Sequence, residues 1–380
     1  MKAKRLLTLL LAVVLILGSC VACGAKKEEN AEQPAEKTFS EYTLEDWNAY
    51  AAKLNEEGKD HYKLLYLVSW AASEYFVNSY DDWKTQFEQY NWELDMIGPT
   101  AYTSESQLSV LEAALISKEY DGIILYPIDP NTFYAVKDDF WETYHVPIID
   151  WADGVKDSCG QYCVMGNNFF QTCGEFMAQN VINYVDANAD YFKKYEGEGI
   201  PTFYAGQAYN PTQNARLLRA KEVLEADGRF NTVLYDENVA DENAIKYCES
   251  MMQNHPEVEI GVMYNDVLAV YYEYVLEQNS HIVSDHLGLF GVDAISASAK
   301  LMKEKGEACY VKSSVGYNNT LVGDIIHDIF SVGVPASKEG IVVDGVTDKA
   351  VEKITNGDPE LGSIYIEMTY KTVDNFYPDL

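Results

Sequence analysis

Nine residues, VMYNDVLAV (262–270), pass from an apolar run with strand character into a run with helical spacing, and two hydrogen-bonding side chains stand at the join. Asn265 and Asp266 there suit one of two tasks. They cap a helix by accepting from the orphan N–H groups of its first turn, or they face a ligand, because open α/β sheets bind at the carboxyl ends of their strands. The same placement recurs along the chain. Ser69, Trp70, Ser73 and Tyr75 close or follow KLLYLVS (63–69), Tyr126 ends GIILYP (122–127), and Trp151 and Asp153 follow VPIID. Asn210, Thr212 and Arg216 follow TFYAG (202–206), Asp293 closes LGLFGVD (287–293), and Ser314 and Tyr317 follow CYVKS (309–313). Each alone reads as a cap, a turn residue or a core aromatic. As a set they line one edge of their sheets. A crevice of Asn, Asp, Arg and flat rings suits a neutral polyol, since the polar groups bond paired hydroxyls and a ring packs on a sugar's apolar face.

The elements that must position them alternate. After 63–69 comes helical spacing from Glu74 to Tyr90, after ELDMI (93–97) from Ser104 to Lys118, and after 122–127 from Asn131 to Thr143, with VPIIDW (146–151) next. A second series opens at YCVMG (162–166) with a helix near Gly174–Val185. It continues through 202–206 with a helix from Thr212, FNTVLYD (230–236), EIGVMY (259–264), 287–293 and 309–313. Strand, helix, strand in such succession is the signature of parallel α/β units, here in two similar lobes. The patterns after Asn319 and around IYIEMTY (364–370) predict that the chain crosses between lobes more than once.

The first residues, MKAKRLLTLLLAVVLILGSC, join a basic start at Lys2, Lys4 and Arg5 to an uncharged core from Leu6 to Leu17. That core is short for a bilayer span and fits a secretory signal. The polar stretch GAKKEENAEQPAEKTFSE that follows reads as a tether. The whole chain has 28 basic and 60 acidic residues, a formal charge of −32. Such a surface repels phosphate backbones and argues against nucleic acid as a partner. The later cysteines, Cys159, Cys163, Cys173, Cys248 and Cys309, are odd in number and form no C-x-x-C; Cys159 and Cys163 read either as a bridge or as two buried thiols. The six histidines are scattered, and there is no H-E-x-x-H, G-x-S-x-G or G-x-G-x-x-G. Zinc, a nucleophile elbow and a dinucleotide site are therefore unsupported.

Two resemblances follow. LGSC (17–20) resembles the lipobox of bacterial lipoproteins, which implies cleavage before Cys20 and acylation of its thiol, with Cys23 as the alternative. From about residue 60 to 375 the chain resembles type I periplasmic sugar-binding proteins, nearest in motif to the galactose/glucose- and ribose-binding proteins. The motifs are LVSWAASEYF, DGIILYPIDP, VPIIDW, NPTQNAR, VMYND, FGVDA and YKTVDN, in the family's order. The resemblance implies two Rossmann-like lobes with parallel sheets joined by a multi-strand hinge. It divides the chain into a signal peptide (1–19), an acylated tether (20–58), lobe 1 (59–151 plus 315–366) and lobe 2 (152–314 plus 367–380).

Carried over by position, Tyr75 stacks on the sugar while Arg216, Asn265 and Asp293 bond its hydroxyls. Trp70, Ser73, Tyr126, Trp151, Asp153, Asn210 and Thr212 line the site, and the last contact falls on Ser314 or Tyr317. Ser73 and Tyr126 stand where galactose/glucose-binding proteins carry Asp and Asn, and Asn210 and Thr212 where they carry His and Asp. A site without those bonds should reject glucose. DANAD (186–190) sits where that group has a calcium loop, with Glu259 at the distant ligand. Asp186, Asn188, Asp190 and Glu259 are thus the calcium candidates, but Tyr191 replaces the turn glycine and Lys194 falls where a ligand amide belongs. An ordinary helix end fits better, and no cofactor is expected. The resemblance implies a monomeric, extracytoplasmic, lipid-anchored receptor that delivers a small sugar to an ABC transporter permease and meets the membrane only through its N-terminal lipid. The alternatives are a sensory module that signals to a receptor or histidine kinase, and a secreted carbohydrate-active enzyme.

Overall fold

The computed structural model describes residues 58–151, 162–163, 167–207, 210–239 and 243–317, with scattered positions elsewhere that include short strands near the carboxyl terminus. Two sheets organise it. The first holds β1 (Lys63–Leu67), β2 (Glu93–Ile97), β3 (Gly122–Leu125), β4 (Ile148–Asp150) and β5 (Tyr162–Cys163). All are parallel, in the order β2-β1-β3-β4-β5. The second holds β6 (Ile200–Ala205), β7 (Phe230–Asp236), β8 (Ile260–Met263), β9 (Gly288–Val292) and β10 (Val311–Tyr317), in the order β7-β6-β8-β9-β10. β11 (Ile354–Asn356) and β12 (Ile364–Ile366) pair antiparallel, and β13 (Tyr370–Lys371) joins β10 antiparallel at the edge of the second sheet.

Without β13 the two sheets are wound alike. In each, the order reverses between the first and third strands, which is where such sheets open a crevice at their carboxyl ends. The strands read as unbroken apolar runs because both faces are covered: Leu64 to Leu67 are fully buried, as are Ile123, Ile124 and Leu125.

Helices connect the strands: α1 (Glu74–Gln89), α2 (Ser104–Ser117), the pair α3 (Pro130–Tyr134) and α4 (Lys137–Tyr144), α5 (Asn167–Ala187), α6 (Pro211–Asp227), α7 (Ala244–Asn254), α8 (Asp266–Gln278) and α9 (Ser296–Lys305). α5 lies against α6 at Gly174. A Cβ there would stand 2.2 Å from the carbonyl oxygen of Arg216, so the missing side chain lets the two backbones meet beside that arginine.

The structure departs from the sequence reading at several points. The single helix expected over 131–143 breaks at Ala135–Val136, and the break lets Phe133 and Trp141 enter different core clusters. Tyr162–Cys163, expected to open the second series, pairs with β4 and closes the first sheet. β10 runs through Val315 beside β9. Among the cysteines, Cys173, Cys248 and Cys309 are buried, and Cys159 lies outside the described residues.

Candidate functional site

Near the reversal points, side chains of the two sheets come together. Asn210 precedes α6, and its Oδ1 accepts from Gln213 N at 3.1 Å, with Pro211 at the first helical position. Asn265 precedes α8, and its Oδ1 accepts from Leu268 N at 2.9 Å. Both asparagines are helix caps, each worth about 1 kcal/mol. This answers half of the question posed by Asn265-Asp266.

Arg216 projects from α6 and is 2% exposed. Its Nη1 donates to Asp293 Oδ1 at 2.9 Å. Asp293 stands just past β9 in a turn where it and Ala294 both take positive φ, 105° and 47°. That backbone is unfavourable for residues with a Cβ and is held only by its surroundings. Tyr126 arrives from the first sheet. Burial pushes its phenol up to about 12, Arg216 opposes that shift, Asp293 adds to it, and the nearby Gln213 side chain opposes it. Tyr126, Gln213, Arg216 and Asp293 thus form one cluster across the two lobes. Gln213 Oε1 is buried and accepts no bond among the described residues.

The aromatic residues divide. Tyr75 is half-buried and meets Phe76 edge-on at 5.1 Å, and Phe76 meets Tyr126 at 4.8 Å. Trp70 is 49% exposed just past β1. Trp151 is wholly buried with its ring 4.7 Å from Trp83, a core position; its Nε1 has no partner among the described residues. Ser73 precedes α1 without capping it through its side chain. The Ser314 hydroxyl is buried and bonded to Asp266 and to Ala294 N. Thr212 lies in the first turn of α6 and Tyr317 at the end of β10, while Asp153 and Cys20 lie outside the described residues.

Four residues enter that the sequence reading did not count as site members. Gln213 sits one turn before Arg216 on the same helix face, a signal that the i, i+3 spacing carries. Tyr102, nearly half exposed, acts on Tyr126 from the connection between β2 and α2. Glu74 and Asp266 bond the loop that carries Asp293. No local sequence signal marks either role.

The calcium candidates are engaged otherwise. Asp186 accepts from Arg229 at 2.6 Å, Asn188 donates to the Tyr184 carbonyl at 2.9 Å, and Asp190 is exposed. Glu259, 2% exposed, accepts from Tyr191 and Tyr195 hydroxyls at 2.7 Å and from Lys194 Nζ at 3.1 Å. Burial works against the Lys194 charge, but its bonds to Tyr191 and Glu259 outweigh that and raise its pKa. An ammonium thus stands beside the one buried carboxylate of the set. Among the described residues, no group of three His, Cys, Asp or Glu could hold a metal, and no helix is long and apolar enough to cross a membrane.

The sequence matches the family model described as "Periplasmic binding protein domain" over residues 65–325. It matches no curated protein. Among solved structures, it is similar to LsrB from Clostridium saccharobutylicum in complex with AI-2, with a TM-score of 0.65, 16% identity, and coverage of 83% of this chain and 99% of that one. It is similar to an ABC transporter solute-binding protein from Clostridium phytofermentas with bound L-rhamnose, with a TM-score of 0.64, 14% identity, and coverage of 84% and 98%. It is also similar to an ABC transporter periplasmic solute-binding protein from Actinobacillus succinogenes with bound D-allose, with a TM-score of 0.59, 16% identity, and coverage of 81% and 96%. At these identities the likeness is one of fold.

Proposed function

Because the chain belongs to the periplasmic binding protein domain family, we propose that it is an extracytoplasmic lipoprotein that captures a small neutral sugar between its lobes and delivers it to an ABC transporter permease. The observation that carries this reading is the Arg216–Asp293 pair of the second lobe acting on Tyr126 of the first. The charges of the pair already cancel. A polyol can accept from the guanidinium and donate to the carboxylate while leaving neither charge unmatched. An anionic ligand would have to compete with Asp293.

Gln213 Oε1 adds a buried acceptor for one more hydroxyl, and Tyr75, Tyr126 and Trp70 supply rings suited to a sugar's apolar face. Neighbours of the same fold hold D-allose and L-rhamnose, which supports the ligand class. The leader and its LGSC motif support anchoring through Cys20, with 20–58 as the tether. The reading includes no catalysis, so the sugar leaves unchanged.

The test is thermal unfolding of the protein against a panel of pentoses, hexoses, 6-deoxyhexoses and polyols. A ligand bound only by the folded state adds about 2.7 kcal/mol at a hundredfold excess over its Kd. A hit that disappears in Arg216→Ala and Asp293→Ala supports the crevice. No shift across the panel in folded protein would sink the sugar reading.

A further inference from the structure

Asn265 is sufficient to cap α8, yet Asp266 beside it is wholly buried, which a surface acid in a first helical turn has no reason to be. Its carboxylate receives three donors, two from α9 and the residue ahead of it and one from β10. Ser298 Oγ on α9 donates to Oδ2 at 2.6 Å, Ser314 Oγ on β10 to Oδ1 at 2.7 Å, and Ile295 N to Oδ2 at 3.1 Å. Ser314 Oγ in turn accepts from Ala294 N at 3.0 Å. β9 makes room for the carboxylate, since a Cβ on Gly291 would stand 2.2 Å from Asp266 Oδ1. The amides of Ala294 and Ile295, in and just after the left-handed turn, therefore depend on Asp266, one directly and one through Ser314.

We propose that Asp266 is the positioning residue of the crevice: its buried carboxylate holds the turn at Asp293–Ala294 in the geometry that brings Asp293 to Arg216. What the turn serves rests on the sugar-binding reading; that Asp266 holds it does not. A purely structural network would be cheaper without a charge, because a buried carboxylate lacking a cation of its own is costly. The charged group acting on it is Asp293, itself paired with Arg216. Ser298 on α9, Ser314 on β10, Gly291 on β9 and Asn265 ahead of α8 bring no charge, and Glu74 from α1 reaches the same loop at Ser296 N. Burial lifts the Asp266 carboxyl to about 7, the bond from Ser298 opposes the lift, and Asp293 adds to it.

Ionised, the two oxygens accept all three donors. Protonated, the carboxyl donates to a serine, the Ser298 hydroxyl turns to the Ile295 carbonyl at 2.9 Å, and the remaining bonds lose their charge assistance, so the turn tightens as pH rises through about 7. Global stability moves the other way, because a carboxyl raised by folding favours the folded state when protonated. Opposite pH trends separate positioning from a merely structural role.

Hydrogen–deuterium exchange of the full chain without ligand, from pH 5.5 to 8.5 and corrected for intrinsic rates, reads the segment 293–297. In the wild type its protection should rise on the order of tenfold across pH 7. In Asp266→Asn it should be low and flat, with β9 amides protected as before. Should that variant not fold, Ser314→Ala removes the relay to Ala294 and should lower protection there. Wild-type protection in either variant, or a flat wild-type profile, overturns the proposal. Because no ligand is used, that failure is distinct from a sugar panel without a hit, which overturns only the sugar reading.

Discussion

Glu74 Oε1 accepts a hydrogen bond from Ser296 N at 2.7 Å, so a carboxylate of the first lobe caps a helix of the second. α9 has no cap of its own, since Ile295 precedes it and offers no acceptor. Its positive end is met by a residue that lies 222 positions away in sequence. If the lobes close on a sugar as proposed, this bond between them favours the closed arrangement. Glu74→Ala should weaken sugar binding about tenfold, in line with about 1.5 kcal/mol for a bond to a charged group. Isothermal titration with a sugar identified in the panel measures this. Unchanged affinity would show that the cap contributes nothing to closure.

Arg216 and Asp293 form the second testable relationship. Removing either partner leaves the other charge buried, which costs about 3–5 kcal/mol for a pair out of solvent. Asp293 is 15% exposed, so the lower end applies when Arg216 is replaced. Arg216→Ala should lower the melting temperature and abolish the sugar response together. Arg216→Lys should recover part of the stability but little binding, because a point charge cannot replace a planar fork. Full binding by Arg216→Lys, read by thermal shift, would mean that the guanidinium only supplies charge.

Lys194 gives a prediction about metal. With its ammonium on Glu259, chelation should leave the melting temperature unchanged. Lys194→Met should lower stability by about 1–2 kcal/mol, discounted because the side chain is 46% exposed. Thermal scans with and without EDTA decide it. A chelator-sensitive wild type would restore the metal reading of this loop.

Much of this architecture could be read in the sequence, and the exceptions share a cause. The strands at 93–97 and 230–236 are found as expected, because apolar runs bounded by polar turns are local signals. That Arg216, Asp293 and Tyr126 meet could be anticipated because all three follow or end strands whose carboxyl ends share one edge. The two-residue β5 was assigned to the wrong series because so short a strand has no periodicity. Asp266 and Glu74 escaped because their partners are distant: Ser314 is 48 residues from Asp266, and Ser296 is 222 from Glu74. Spacing along a chain does not report contacts of that range.

The Asp266 carboxyl ought also to leave its mark on global stability. Its ordinary value is 3.8, and in the fold it stands at about 7, chiefly through burial. Between those values the folded state holds a proton that the unfolded chain has released. The contribution of Asp266 to stability should therefore be greatest below the lower value, fall as pH rises through the window, and level off above 7. Asn cannot titrate, so Asp266→Asn removes this loss. The stability of the variant minus that of the wild type should grow from pH 5 to pH 8 by at most about 3 kcal/mol, because roughly two pKa units of the window lie in that range at 1.36 kcal/mol each. Urea unfolding at each pH measures the difference. A difference that stays constant with pH would mean that Asp266 titrates as an ordinary carboxyl. A growing one, alongside a loosened 293–297 segment, would show that the protein gives up stability to keep a charge beneath Asp293.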